Sequence, residues 1–556
     1  MALLWFGVQV LACHSPDVAS AGGPTDQTQR HEASLEREAQ PGRETASRAL
    51  STAAVAAGTH GSAAPLTDTQ AGEVSRGSVQ SPPGPAAHAD RSASAPTPKA
   101  RYGRVYAKTR NVWIRGRPTN DTQWIGFLWW GDSVALREPE PVAGPGCKSW
   151  YAVEPQGYIC VDGERATLDG DEPLLLGIRP YAHDRARPNP HPHYGESTDA
   201  RRYLTLPSTR TQRAREWDYR FRMGWIETAR SGGPIHEQLQ GIDLTPAPAE
   251  TVELPPLPRT LQMSHRRLIA RSSVAWTREV LHEGRSWLLT DDLTWVAKDR
   301  VKPYPEVSFQ GVHLNEQVQL PIAFFRKRDG QQYRLDEQGE LVETSSTHPR
   351  LSWVRLTGQE RRVGRTTFYE TRAGHWVSGE DTAVPRMREK TPWGAPINGD
   401  DVTGKAPRGR QTWIETSIWG GWLVAYEGTR PVFTTLIAPG RGGPPQGDTD
   451  PVETASTPTG RFAITGKFVT STMIAPNDLV HSAVPWAQNF SGPHAIHGAY
   501  WHDAWGELKS GGCINLSPID AKWLFEFTEP TLPEGWHGVR WLPKEGPATR
   551  LIVRRH

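Results

Sequence analysis

The sequence predicts a mainly β protein, with small β-barrel units ahead of a C-terminal β-sandwich-like unit that carries one or two short helices. Two observations lead there. Tryptophan is abundant at 23 against 5 methionines, and 53 Gly and 48 Pro punctuate the chain. That mixture suits short strands and turns better than long helices. Along most of the chain, short runs alternate apolar and polar residues, the period of half-buried strands.

The 556 residues predict about three to five units at roughly 100–200 residues each. Lys and Arg number 63 against 61 Asp and Glu, a net charge of +2. With that balance and no concentrated basic run, a nucleic-acid binder is excluded. No apolar stretch reaches the roughly 18 residues of a membrane span.

Taken in order, residues 1–13 form a short apolar segment, Met1 to Cys13, with the length of a secretory h-region. Its Val10-Leu11-Ala12-Cys13 ending resembles a bacterial lipobox, which implies export and lipidation of Cys13; no Lys or Arg precedes the apolar run. The alternative is a plain cleaved signal with an incidental cysteine. Residues 14–100 are rich in Ala, Ser, Gly, Pro and Thr and hold no Phe, Tyr or Trp. Such a stretch cannot offset the entropy of ordering and reads as a flexible tether.

Residues 101–170 alternate again, through Arg104-Val105-Tyr106-Ala107 and Asn111-Val112-Trp113-Ile114-Arg115, with turns at Gly116-Arg117-Pro118 and Gly131-Asp132. The pattern predicts a small β-barrel. The order of Asn111–Pro118, Ile125-Gly126, Trp130–Val134, Trp150–Val153 and Gly157–Ile159 resembles a bacterial SH3-like domain. Cys147 and Cys160 flank its last hairpin, and in an exported protein they would pair; the alternative is two reduced thiols. Residues 171–260 are irregular, with a helix expected around Thr211–Met223. His183, His191 and His193 lie there in a Pro-rich stretch whose spacing matches no metal site, so a solvated loop is expected. Residues 261–305, with Trp276, Trp287 and Trp295-Val296-Ala297, suggest a second SH3-like unit. Residues 306–409 continue as short strands and turns, a β-rich accessory region packed against the C-terminal unit.

That last unit, residues 410–546, carries the chemistry. Cys513, the only cysteine after Cys160, sits in Ser510-Gly511-Gly512-Cys513-Ile514-Asn515. It lies 16 residues after His497, in His494-Ala495-Ile496-His497-Gly498. Two glycines before a cysteine let backbone amides approach a bound group, and a nearby imidazole can take the thiol proton. His494 and His502 are rival bases. Ser517-Pro518 caps a helix whose expected apolar face is Ile519, Trp523, Leu524 and Phe527.

Tyr426-Glu427-Gly428, Thr457–Phe462, Ile496-His497-Gly498 and Ser510–Asn515 together resemble the catalytic domain of the YkuD-type L,D-transpeptidases. The resemblance implies Cys513 as nucleophile, His497 as base, the Gly498 carbonyl as its orienter, and the Gly512 and Cys513 amides as an oxyanion hole. Ser510 would brace the turn, and Asn515 would hold the loop or the substrate. His494, Tyr500, Trp501, His502 and Asp503, with Trp505-Gly506, would line a peptide stem. At Gly511 the family usually has histidine, which bears on substrate contacts. The implied partners are peptidoglycan stem peptides and an acceptor amine, supplied by a second stem or by a protein lysine; membrane contact would run through the lipid anchor alone. No metal, nucleotide or other cofactor is implied. A papain-like peptidase would place its cysteine before its histidine, and here the histidine comes first. A wall-binding scaffold with a decayed site is the other reading.

Overall fold

Alternation in the sequence becomes strand pairing throughout the described residues. The computed structural model describes residues 101–249, 252–262, 267–397, 411–475, 478–544 and 546–556. The signal segment with Cys13 and the tether lie outside them. The described chain is mainly β, with four α-helices: α1 Pro173–Ile178, α2 Thr209–Arg215, α3 Tyr219–Arg230 and α4 Pro518–Phe527. The helix expected around Thr211–Met223 is two, interrupted where Glu216 and Asp218 turn inward to buried arginines.

The largest sheet has 15 strands. It passes from Trp295–Ala297, Arg285–Thr290 and Ser273–His282 into Val480–Ser491 and Gly466–Ile474. From there it crosses Gly538–Arg540 into the N-terminal strands Trp124–Leu128 and Val112–Arg115. The 261–305 segment therefore forms no second closed unit. Its strands pair with one another, Ser273–His282 with Arg285–Thr290 and the latter with Trp295–Ala297, and also with distant segments, Ser273 pairing to Glu196 and to His481. Residues 101–170 also borrow from the far end. Phe127 pairs with Gly538, and Trp536, 1% exposed, lies in the core of Val105, Ile114, Ile125 and Ile159. A side chain at Gly126 would collide with the Trp536 ring, its Cβ 2.1 Å from Cε3. Cys147 and Cys160 form a disulfide.

A six-stranded sheet faces the catalytic half of the large one. It contains Thr412–Ser417, Trp422–Glu427 and Arg430–Leu436, takes in Val312–His313 from the accessory region, and includes Arg550–Arg554, parallel to Thr412–Ser417. The unit thus extends past the expected boundary at 546. Between the sheets lie Ile414, Leu423, Phe433, Val469, Trp486, Ile496, Ile514 and Leu516. On α4 the buried face is Ala521, Leu524, Phe525 and Phe527, with Ile519 and Trp523 only half-buried. The helix therefore sits rotated from the expected face, because Asp520 turns inward to accept from Gly311 N and Thr435 Oγ1. Residues 322–383 make a separate seven-stranded sheet.

The Pro-rich segment of 183–193 is not a solvated loop. His183 and His191 are buried and only His193 is exposed. The segment is pulled in by backbone acceptors: Trp486 Nε1 donates to Pro188 O at 2.6 Å, and Arg185 Nη1 donates to Trp536 O at 2.8 Å.

A buried ionic cluster fastens α2 and α3 to the large sheet. Arg285, 1% exposed, donates to Asp299 Oδ1 at 2.7 Å, Glu216 Oε1 at 3.0 Å and Gln212 Oε1 at 3.1 Å. Burial alone would raise the Asp299 carboxyl, but Arg285, Arg222 and Arg300 outweigh it and hold it below its usual range. Arg285→Met is expected to cost about 3–5 kcal/mol, because it strands buried carboxylates instead of replacing the whole set with apolar groups. Urea unfolding measures it, and a loss below about 1 kcal/mol would show the cluster to be solvated.

Candidate active site

His494–Gly498 and Ile514–Leu516 are adjacent parallel strands, in the register Ile496↔Ile514, His497↔Asn515 and Gly498↔Leu516. Because side chains alternate along a strand, Ile496, Ile514 and Leu516 point into the core. His497 and Asn515 share the opposite face, and Cys513 stands in the bend immediately before the strand Ile514–Leu516. The local sequence explains the pairing: apolar residues at 496, 514 and 516 bracket the polar ones.

The turn before Cys513 is tied on several sides. Ser510 Oγ donates to Cys513 O at 2.5 Å and accepts from Gly512 N at 3.1 Å. Thr457 Oγ1 donates to Gly512 O at 2.9 Å and accepts from Gly440 N at 2.8 Å. Gly512 has φ +127°, and a Cβ there would meet His494 Nε2 and Ser456 O at 2.9 Å. Only glycine suits that conformation and that space. The Gly512 amide is committed to Ser510, so in this conformation it is not a free oxyanion donor, and the Cys513 amide is left as the candidate. At Gly511 a Cβ would meet nothing within 4 Å, so the loop has room there for a larger side chain.

His497 is 3% exposed, and its Nδ1 lies 3.1 Å from Gly498 O. A carbonyl only accepts, so Nδ1 carries the proton and Nε2 the free lone pair. Burial, aided by neighbouring His481, pushes the imidazole down to about 4. The Cys513 thiol, half-buried, donates to Pro493 O at 3.8 Å, and burial pushes it up to about 11. Both shifts oppose a resting thiolate–imidazolium pair, and the site rests as neutral thiol and neutral imidazole.

The other expected residues divide. Trp501 and His502 are half-buried at the site, with Trp501 5.9 Å from the His497 ring. Tyr500 and Trp505, at 2% and 0% exposed, are core residues and not a wall for a stem; Tyr500 Oη donates to Ser482 O. His494 is buried behind Gly512, with Nδ1 3.1 Å from Ser491 O. It supports the loop and presents no open face to a substrate. His502 Nδ1 accepts from Ala504 N at 3.2 Å, which puts its proton on Nε2, 3.1 Å from the Asn515 side-chain amide. Turning that amide so that Oδ1 accepts from Nε2–H also satisfies Oδ1, which is otherwise buried without a partner.

Several contributors come from distant segments that no local spacing marks. His481 stacks on Trp501 at 4.5 Å and pairs through Nδ1 with Ser273 Oγ at 3.0 Å. Tyr194 packs on Tyr500 at 3.9 Å. The loop between His497 and Cys513 is clamped by the accessory sheet. Arg350 donates to the Asp503 carboxylate at 2.9 Å and to Asp503 O at 2.5 Å. Arg326 donates to Gly506 O at 3.0 Å and Gly420 O at 3.1 Å.

Asp132, His183 and His537 bring three potential ligand atoms within 4.8 Å of one another. A cation already sits there: Arg185 Nη2 donates to Asp132 Oδ1 at 2.8 Å, and Arg185 Nε to His183 Nε2 at 3.3 Å. The cluster is an ion-paired junction of three chain segments.

No curated protein matches the chain. Among solved structures, an L,D-transpeptidase from Xylanimonas cellulosilytica is 18% identical over 27% of this chain and 62% of its own, with TM-score 0.18. A cysteine-to-serine mutant of an Enterococcus faecium L,D-transpeptidase is 22% identical over 26% of this chain and 49% of its own, with TM-score 0.19. An L,D-transpeptidase from Mycobacterium smegmatis is 14% identical over 44% of this chain and 87% of its own, with TM-score 0.20. This chain thus spans about half to three-fifths of the length of the first two. A family model described as the L,D-transpeptidase catalytic domain, YkuD, matches residues 411–539, a stretch that contains the Cys513 loop and His497.

Proposed function

We propose that the protein is a peptidoglycan L,D-transpeptidase that uses Cys513 as nucleophile and His497 as general base. The observation that carries this is the parallel register at His497 and Asn515. It supports the reading by running the strand that follows Cys513 beside the strand that holds His497, with His497 Nδ1 held by the Gly498 carbonyl. The Cys513 sulfur attacks the carbonyl carbon of the third residue of a tetrapeptide stem while His497 Nε2 takes its proton. The tetrahedral adduct then breaks the bond to the terminal D-alanine, whose nitrogen leaves with that proton. A thioester remains. An acceptor amine attacks it, a proton passes to His497, and Cys513 departs as the thiol.

The Cys513 amide supports the oxyanion, Asn515 and His502 hold the loop, and Trp501 contacts the stem. If the amine belongs to a second stem, a cross-link forms; if it belongs to a protein lysine, the protein is attached to the wall; if water replaces it, the outcome is an L,D-carboxypeptidase. The chain works in the bacterial cell envelope, exported and anchored through lipidated Cys13, with residues 101–170 as an SH3-like module beside the enzyme.

A carbapenem tests this directly, since its strained acyl group needs only the nucleophile and its base. Intact-mass spectrometry is expected to find one adduct, on Cys513. A protein that stays unmodified supports the rival reading, a wall-binding scaffold.

A further inference from the structure

The most exposed large hydrophobic side chain described is Trp217, 89% exposed, just before α3. One helical turn on, Phe221 is 63% exposed, and Leu204 is 52% exposed. Leu204 follows Tyr203, which bonds through its hydroxyl at 2.8 Å to Glu216, the residue before Trp217, so the segment carrying Leu204 lies beside the one carrying Trp217. The same segments carry exposed arginines: Arg201, Arg210, Arg213, Arg215 and Arg220. Trp217 forms one edge of a shallow polar depression lined also by Arg201, Arg215 and Arg267. The acids of this region are mostly taken. Glu216 and Asp218 are buried against Arg285 and Arg300, and Asp199 is held by Arg267. Glu227 and Glu283 are the exposed ones nearby. In a chain whose net charge is only +2, this is a local concentration.

We propose that this patch is a docking surface for an anionic lipid bilayer, with Trp217, Phe221 and Leu204 entering the headgroup boundary and the arginines meeting lipid phosphates. Charge complementarity selects that occupant. Exposed tryptophan with apolar neighbours prefers the membrane–water interface, and guanidinium groups bind phosphate bidentately. A neutral glycan strand would leave five arginines without counter-charge. The contact is independent of any lipid anchor and would orient the folded part against the membrane.

The test is co-sedimentation of the full chain, prepared without lipidation, with vesicles of equal parts phosphatidylglycerol and phosphatidylcholine, and with phosphatidylcholine alone. Binding is expected to the anionic vesicles only and to weaken with salt. The double variants Trp217→Ser/Phe221→Ser and Arg213→Glu/Arg220→Glu are each expected to bind at least about 10-fold more weakly. All four side chains are exposed, so unchanged thermal unfolding confirms that the variants fold. Three results would overturn the proposal: equal binding by wild type and both variants, wild type pelleting with peptidoglycan sacculi but not with vesicles, or a solution dimer that Trp217→Ser dissolves.

Discussion

Cys513→Ala is expected to lower amine-dependent D-alanine release from a tetrapeptide stem by on the order of 10⁴-fold or more, with His497→Ala nearly as severe. The two act as one unit, so the double variant should lose no more than the worse single one. Their pH dependence separates this arrangement from a preformed ion pair. His497 is pushed down to about 4 and Cys513 up to about 11, so the proton moves only as the sulfur attacks. Carbapenem acylation should therefore stay level through neutral pH and fall only as His497 takes a proton near pH 4. An acylation rate that drops between pH 7 and 6 would mean that the imidazole titrates near its ordinary value. Full activity in His497→Ala would move the base to His502, whose free lone pair is engaged by Ala504 N, or to His494, buried behind Gly512.

Acid should destabilise the fold steeply well before its ordinary carboxylates titrate. Burial holds ten described histidines below their usual value: His183, His191, His481, His497, His502 and His537, and with them His193, His348, His375 and His494. Unfolded, they take protons near pH 6.5. The unfolded state therefore binds more protons as pH falls below 6.5, and stability drops until the folded-state values are reached. Three carboxyls act the other way. Burial pushes Asp291 up beside Asp292, and raises Glu415 to about 7 and Asp520 to about 6. Between their unfolded and folded values these add stability as pH falls. The lowered histidines outnumber the three raised carboxyls, so the net effect between pH 6 and 5 is a loss of stability as pH falls. Carboxylates held low, such as Asp299, add their loss only below about pH 4. Thermal unfolding should fall by at least about 5 °C per pH unit across that interval. A midpoint constant from pH 7 to 5 would refute the account.

What was legible in the sequence was local. The glycine pair before Cys513 signals a tight approach, and Gly512 indeed has a backbone only glycine adopts readily. Ser517 caps α4 by accepting from Asp520 N at 3.1 Å, as Ser-Pro ahead of an apolar run implies. Non-local contributions were not legible. Ser273, Tyr194 and His481 reach the site because strands far apart in the chain pair side by side, and spacing carries no trace of that. Arg326 and Arg350 look like any surface arginines until the accessory sheet brings them to the 503–506 loop. The direction of the Cys513 and His497 shifts depends on burial, which the motif does not encode. Nor does it reveal that the Gly512 amide is spent on Ser510. Pro and Arg between 183 and 193 suggested solvent, yet His183 and His191 are buried there, because the Pro188 carbonyl and Arg185 find partners in two other segments.

The shared 15-stranded sheet also sets a schedule for synthesis. Trp124–Leu128 leaves the ribosome long before its neighbour Gly538–Arg540. Trp536 fills the early core only then. Thr412–Ser417 waits likewise for its parallel partner Arg550–Arg554. A nascent chain cannot complete its first layer before its last, so it carries unpaired strand edges through most of its production. Premature termination upstream of Trp536 would leave both of these layers unfinished at once.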